Sequence, residues 1–200
     1  MPKIVDVEAT KMRIVKAAWN VITTKGIQSV SMRRVARAAG CTSGLITHHF
    51  VDKDELVTYA YEVALSEMIA DAALRVSEER NVRDKLLAAV EAIEPSTLRM
   101  KQLTVVLMNF WAQAAFNRAF AERCRQDYKR WRAVISRTIR EGIDADELRD
   151  DTDISALTDT ITLLSDGLSV GMTLTPSRYS ESYRRTILFG ILRPYMRSPY

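Results

Sequence analysis

Between Ser31 and Lys53 the chain sets Arg33, Arg34 and Arg37 on one short segment and Thr42, Ser43, Thr47, His48 and His49 on the next, with Gly40 between them. Guanidinium forks, hydroxyls and imidazoles on two successive short helices suit one chemistry above others, the recognition of phosphates and base edges in duplex DNA. Ser31 is a good N-cap for the first helix, Val35, Ala36 and Ala39 give that helix an apolar side, and Gly40 can take the left-handed conformation that stops it. Thr42 or Ser43 can open the second helix, with Leu45, Ile46 and Phe50 available to pack on the first. This is a helix-turn-helix, in which the second helix enters the major groove.

The side chains divide by what each can do. Arg33 has the fork geometry for guanine O6 and N7 and is the candidate for direct base reading, with Ser31, Met32 and Arg34 beside it at the start of its helix. Ser43, Gly44 and Leu45 lie nearest the base edges, Leu45 against a thymine methyl. Thr42, Thr47, His48 and Lys53 are placed for phosphates, and His49 is either a DNA contact or an anchor of the helix. An ordinary helical hairpin with a solvated Arg face is the competing reading. The glycine at the turn, the small polar residues after it and the charge distribution count against it. Residues 1–55 hold nine Lys or Arg against five acids, an excess equal to the whole chain's +4, so the remaining residues balance. A basic head on a neutral body suits a phosphate-binding module.

At 200 residues, 47% hydrophobic and 27% charged, the chain has the composition of a globular protein with a sizeable core. No signal-peptide run and no uncharged membrane-length segment are present, so a cytoplasmic protein with no membrane partner is expected. Cys41 and Cys124 match no zinc spacing and read as small buried hydrophobes. No metal site or cofactor is expected: His48 and His49 point about 100° apart on a helix and no acid or cysteine completes a ligand set. An enzyme is not expected either, since the chain has no G-x-S-x-G elbow, P-loop, H-E-x-x-H or dinucleotide fingerprint.

The periodicity is helical throughout. Helices are predicted over about 7–25, 31–39, 43–49, 52–77, 82–93, 96–115, 117–142, 153–173 and 178–195, the last stop of the seventh near Gly142. The fold class is therefore all-α: about nine helices, a three-helix helix-turn-helix head over 1–55 and a helical ligand-binding and dimerisation domain over 56–200. On the last two helices Ile161, Leu164 and Leu168, and Tyr183, Ile187 and Ile191, recur at helical spacing and form the expected homodimer interface, with Ala156, Gly167 and Gly171 permitting close approach. A dimer puts two reading heads on successive turns of DNA and makes the operator palindromic. In the body Phe110 and Trp111, next to Asn109, and Phe120, Tyr128 and Trp131 can share a face. They are either core or the wall of an effector pocket, where aromatic rings would hold a quaternary ammonium by cation–π attraction. Asp166 could supply a counter-charge, cap a helix, pair with Arg or sit at the dimer seam.

The run Ala-Ala-Gly-Cys-Thr-Ser-Gly-Leu-Ile-Thr-His-His-Phe-Val-Asp-Lys-Asp-Glu-Leu, residues 38–56, resembles the helix-turn-helix signature of tetracycline-repressor-type (TetR family) regulators. Cys41 stands where Val is usual and Thr47 where Tyr is usual. The small hydroxyl residue at 47 is similar to the BetI branch, repressors of choline and glycine betaine genes, as are Met-Pro-Lys at the start, Phe-Trp-Ala at 110–112 and Asp-Gly-Leu at 166–168. The resemblance implies a dimeric repressor that leaves a palindromic operator when a small-molecule effector binds, with choline or another quaternary amine as the candidate effector. After Asp-Gly-Leu the BetI pattern continues with a large aromatic and an apolar-basic pair, whereas this chain has Ser169, Val170 and Gly171. That change removes bulk and charge near the expected pocket. A constitutive or architectural DNA-binding protein with no ligand is the alternative function.

Overall fold

A computed structural model describes residues 4–197; Met1–Lys3, part of the resemblance, lie outside the described residues. Nine α-helices follow in order: α1 Ile4–Lys25, α2 Met32–Ala39, α3 Ser43–His49, α4 Lys53–Glu78, α5 Val82–Ala92, α6 Leu98–Ala114, α7 Arg118–Asp144, α8 Ile154–Leu174 and α9 Glu181–Leu192. Short 3-10 turns at Ile27–Ser29, Pro176–Arg178 and Arg193–Tyr195 join or extend them. No strand occurs among the described residues, only an isolated antiparallel bridge between Leu148 and Met196. Most boundaries fall within two residues of those expected, and Ser31, Thr42, Asn81, Asp153 and Ser180 each accept a backbone N–H of the helix they open.

The chain forms two compact units. The first takes in residues up to Ser66 together with Gln102–Cys124, and the second Glu67–Lys101 together with the chain from Arg125. The reading head is thus packed with α6 and the start of α7. In this unit α1 lies on α2 and α2 on α3. Trp19 is fully buried and its indole N–H donates to the Ala60 carbonyl at 2.8 Å, tying α1 to α4. Tyr61, Phe110 and Phe120 stack in series, with ring centroids 3.9 and 4.5 Å apart.

The second unit packs Leu86, Ala89 and Val90 of α5, Trp131, Ile135 and Ile139 of α7, Leu157, Ile161 and Leu168 of α8 and Leu188 and Leu192 of α9 into one apolar cluster. Gly142 was expected to end α7, yet the helix continues to Asp144. Its lack of a side chain serves packing instead: a Cβ there would fall 2.5 Å from a methyl of Val82, at the start of α5. Gly171 similarly carries the ring of Tyr179. The cysteines are half-buried rather than core residues. Cys41 sits on the turn after Gly40, and no helix among the described residues is long and apolar enough to cross a membrane. Replacing Gly142 by Ala should destabilise the chain by about 1–3 kcal/mol through overpacking against Val82, measured as a lower urea midpoint at unchanged slope.

Candidate nucleic-acid interface and effector site

The turn between α2 and α3 follows from two side chains and one backbone conformation. Ser31 Oγ accepts the Arg34 N–H at 3.2 Å and Thr42 Oγ1 the Leu45 N–H at 3.2 Å, so each helix starts on its own hydroxyl. Gly40 has φ 64° and ψ 38°, and the Cys41 N–H after it returns to the Ala36 carbonyl at 3.0 Å. Val35, Ala36, Ile46 and Phe50 are buried between the helices, which fixes the outward faces. A reciprocal box follows α3: Asp52 Oδ1 accepts the Glu55 N–H at 2.8 Å while Glu55 Oε2 accepts the Val51 N–H at 2.5 Å. It sets the start of α4, and with it Lys53.

On the outward side Arg33, Arg37, Thr42, Gly44, Thr47 and His48 are exposed, and Met32, Ser43, Leu45, His49 and Lys53 are half-buried. Neither Arg33 nor Arg37 has an acidic partner among the described residues, so their charge is free to meet phosphate or guanine. Arg34 differs, because its guanidinium donates to the Ser29 carbonyl at 2.6 Å and braces the loop ahead of α2. Thr47 donates its hydroxyl to the Gly44 carbonyl at 3.1 Å, so it must rotate before it can donate to a phosphate. The rings of His48 and His49 meet edge to face at 5.2 Å between centroids. Asn109, expected at an effector pocket, instead accepts the Ile27 N–H at 3.2 Å and donates to the Val105 carbonyl, holding the turn between α1 and α2 against α6.

The remaining residues expected at that pocket separate. Phe110 is buried in the stack with Tyr61 and Phe120, so these aromatics are core of the first unit. Trp111 is half-buried in the same unit. Tyr128, Trp131 and Asp166 belong to the second. There the Tyr128 hydroxyl donates to an Asp166 carboxylate oxygen, and Trp131, three residues along the same helix, is buried with its indole N–H unpartnered. Burial, only partly offset by the Tyr128 hydrogen bond, holds the Asp166 carboxyl above its ordinary value. Burial first, and then the bond to Asp166 and its charge, push the Tyr128 phenol up. Asp166 has no cationic partner among the described residues.

On the last two helices Ile161 and Leu168 are buried inside the chain, and Leu164, Ile187 and Ile191 are half-buried. Tyr183 is exposed. The exposed stripe of α8 is a different one: Ala156, Thr160, Leu163, Gly167, Val170 and Leu174, which carries no charge. On α9 Ser182, Tyr183, Thr186 and Gly190 are exposed and uncharged, while Glu181, at its first position, is exposed and acidic. Periodicity could not choose between the faces, since α8 is apolar on nearly every side and offers only Asp159 and Asp166 as charges. A signal was nonetheless present in Gly167 and Gly190. A mid-helix glycine costs about 1 kcal/mol relative to Ala, and a Cβ at either position would meet nothing of this chain within 4 Å.

Residues 14–60 match the family described as bacterial regulatory proteins of the tetR family, and residues 82–192 match the BetI-type transcriptional repressor, C-terminal family. The chain belongs to the TetR family, with a BetI-type body. Among curated relatives it is 35% identical over 78 residues to the HTH-type transcriptional regulator PksA of Bacillus subtilis and 29% over 111 residues to the HTH-type transcriptional regulator BetI of Proteus mirabilis. These matches take in 38% and 56% of this chain, and the chain spans 38% and 54% of those relatives' lengths. A solved regulator from Saccharomonospora viridis, in complex with choline, has the same fold at a TM-score of 0.84 and 21% identity, over 96% of this chain and all of that one. As a TetR-family member the protein is a DNA-binding transcriptional regulator and not an enzyme, and TetR regulators act as dimers on operators under small-molecule effectors.

Arg33→Ala should weaken operator binding by about 1–3 kcal/mol and relax selection at one base pair, read by competition against single-base operator variants. Arg34→Ala should weaken operator and random DNA alike, because it loosens the loop ahead of α2.

Proposed function

We propose that this protein is a cytoplasmic, dimeric repressor whose α3 helices read a palindromic operator and whose release is driven by a small quaternary amine of the choline class bound at Asp166, Tyr128 and Trp131. The observation that carries the effector reading is Asp166, a half-buried carboxylate with a tyrosine hydroxyl as partner and no cation among the described residues. An uncompensated half-buried anion beside a tryptophan and a tyrosine favours a soft organic cation, which the rings attract and which needs no hydrogen bonds of its own. Choline in the Saccharomonospora relative supports the same class. DNA contact is assigned to Arg33, Thr42, Ser43, Gly44, Leu45, Thr47, His48 and Lys53, with Ser31, Met32, Arg34 and His49 supporting them. Because α4, α6 and α7 each contribute residues to both units, ligand occupancy has helices through which to bias the spacing of the two heads.

A cation binds the ionised form of Asp166. Affinity should therefore be full above the carboxyl's raised pKa and fall about tenfold for each pH unit below it, as calorimetry with choline and larger quaternary amines would record. Asp166→Asn should abolish that pH dependence and weaken binding at least tenfold while leaving operator affinity intact. Because the folded carboxyl titrates above its unfolded value, Asp166 favours the fold more as pH drops. The neutral Asn variant should accordingly melt higher than wild type at pH 7. Operator release by none of these amines would refute the effector assignment.

The dimer face is assigned to the uncharged exposed stripe of α8, with Tyr183, Thr186 and Gly190 of α9 beside it. Leu163→Asp should leave the chain folded by circular dichroism and raise the dimer dissociation constant at least tenfold in sedimentation. Leu168→Asp should unfold it, because Leu168 is inside the core.

A further inference from the structure

A second concave site lies between α7 and the first turn of α8, a cleft of about 440 Å³ lined by Lys129, Arg132, Ser136 and Arg140 on one side and Ser155 and Thr158 on the other. The α7 residues fall at i, i+3, i+7 and i+11, so one helix face presents three cations and a hydroxyl to the same space. Arg132 spends part of its charge on Asp159. Lys129 and Arg140 have no acidic partner among the described residues, and both are exposed. Opposite them the N-terminus of α8 adds its positive dipole end, with Asp153 capping a single N–H, that of Ala156.

The independent sign of a ligand is Thr158. It is 2% exposed, lines the cleft, and its Oγ1 has no hydrogen-bond partner, whereas Thr162 and Ser165 farther along the helix each donate to a carbonyl one turn back. A buried hydroxyl left without a bond is costly unless something entering the cleft completes it. Two free cations, a shared guanidinium, three hydroxyls and a helix N-terminus all favour an oxyanion with several acceptor atoms. None of these groups belongs to the DNA-reading surface, and of them only Arg132 also acts on the Asp166 site, through its charge near Tyr128.

We propose that this cleft binds a phosphate-bearing small molecule, making it an anion site separate from the cationic effector site. On the α8 wheel Ser155 and Thr158 lie to one side of the Leu163–Gly167 stripe, so the cleft borders the assigned dimer face without being part of it. A bound diphosphate would bridge Lys129 and Arg140 on α7 to the hydroxyls of α8 and hold the two helices at a fixed separation.

Calorimetry on the full chain at low ionic strength, with pyrophosphate and inorganic phosphate as probes and choline absent, tests this. One saturable site per chain is expected, with pyrophosphate tighter than phosphate. Lys129→Ala and Arg140→Ala should each weaken pyrophosphate at least tenfold, Thr158→Val at least threefold with recovery in Thr158→Ser, and Arg178→Ala, an equal loss of charge on an exposed turn elsewhere, should change nothing. Non-saturating uptake, or an equal loss in Arg178→Ala, would reduce the cleft to diffuse surface charge and overturn the proposal. So would a rise in the dimer dissociation constant of the Lys129 and Arg140 variants with no pyrophosphate binding by wild type, since acidic groups of a second copy would then occupy the cleft. Failure of choline to bind or of operator release leaves this readout untouched.

Discussion

A seven-residue helix is too short to persist in water on its own, because nucleation costs more than so few hydrogen bonds return, and α3 has seven residues. Whatever α3 does at DNA depends on structure outside it. Ile46 and Phe50 are buried, Phe50 beside the Tyr59 ring of α4, Thr42 closes one end, and the Phe50 N–H closes the other by returning to the Ile46 carbonyl at 2.9 Å. The Asp52–Glu55 box then fixes the exit into α4, and Trp19 ties α4 to α1 through the Ala60 carbonyl. Gly40 is the hinge of this arrangement. A residue with a Cβ at φ 64° would cost about 1–2 kcal/mol, and that cost would fall on the junction that aims α3.

The same dependence explains which features could be foreseen. Caps and turns are local, so Ser31, Gly40 and Thr42 announced their helices, and the helix-turn-helix was legible from residue types alone, whereas the last helix, expected from 178, starts only after Ser180. Asn109 was misplaced because its role is non-local: nothing between Ile27 and Asn109 in sequence indicates that one's N–H meets the other's side chain. Phe110, Phe120, Tyr128 and Trp131 share an aromatic character and a spacing, but two are stacked in one compact unit and two lie in the other. Periodicity finds an apolar face where a helix has a polar one to contrast with it, and α8 has almost none. The buried choice was settled by partners on α5, α7 and α9.

Two carboxylates in the second unit, one buried and one half-buried, show how neighbours assign different roles to the same chemical group. Glu94 is 2% exposed and faces Arg184 Nε at 2.8 Å, while Arg184 also donates to the Tyr179 carbonyl at 2.6 Å. Burial still holds the Glu94 carboxyl above its ordinary value, with nearby Glu91 and Glu181 adding to the effect and Arg184 opposing it. It is an ion pair that joins the segment just after α5 to α9. Asp166 has a hydroxyl where Glu94 has a guanidinium, so its carboxylate has no counter-charge among the described residues.

That contrast bears on how a ligand could act at all. An effector shifts a conformational equilibrium only by the difference in its affinity for the two states, so a site already neutral in one chain state gains little from an ion. Burial disfavours the ionised Asp166 carboxyl, and on the proposed reading a cation that relieves this penalty would favour the arrangement of α7 and α8 that closes on it. Tyr128, which holds Asp166, is on α7, and α7 begins in the unit that carries the reading head. Half-buried Asp166 and Tyr128 thus join α8 to a helix with residues in both units, whereas the more deeply buried Glu94 is paired with Arg184 of α9.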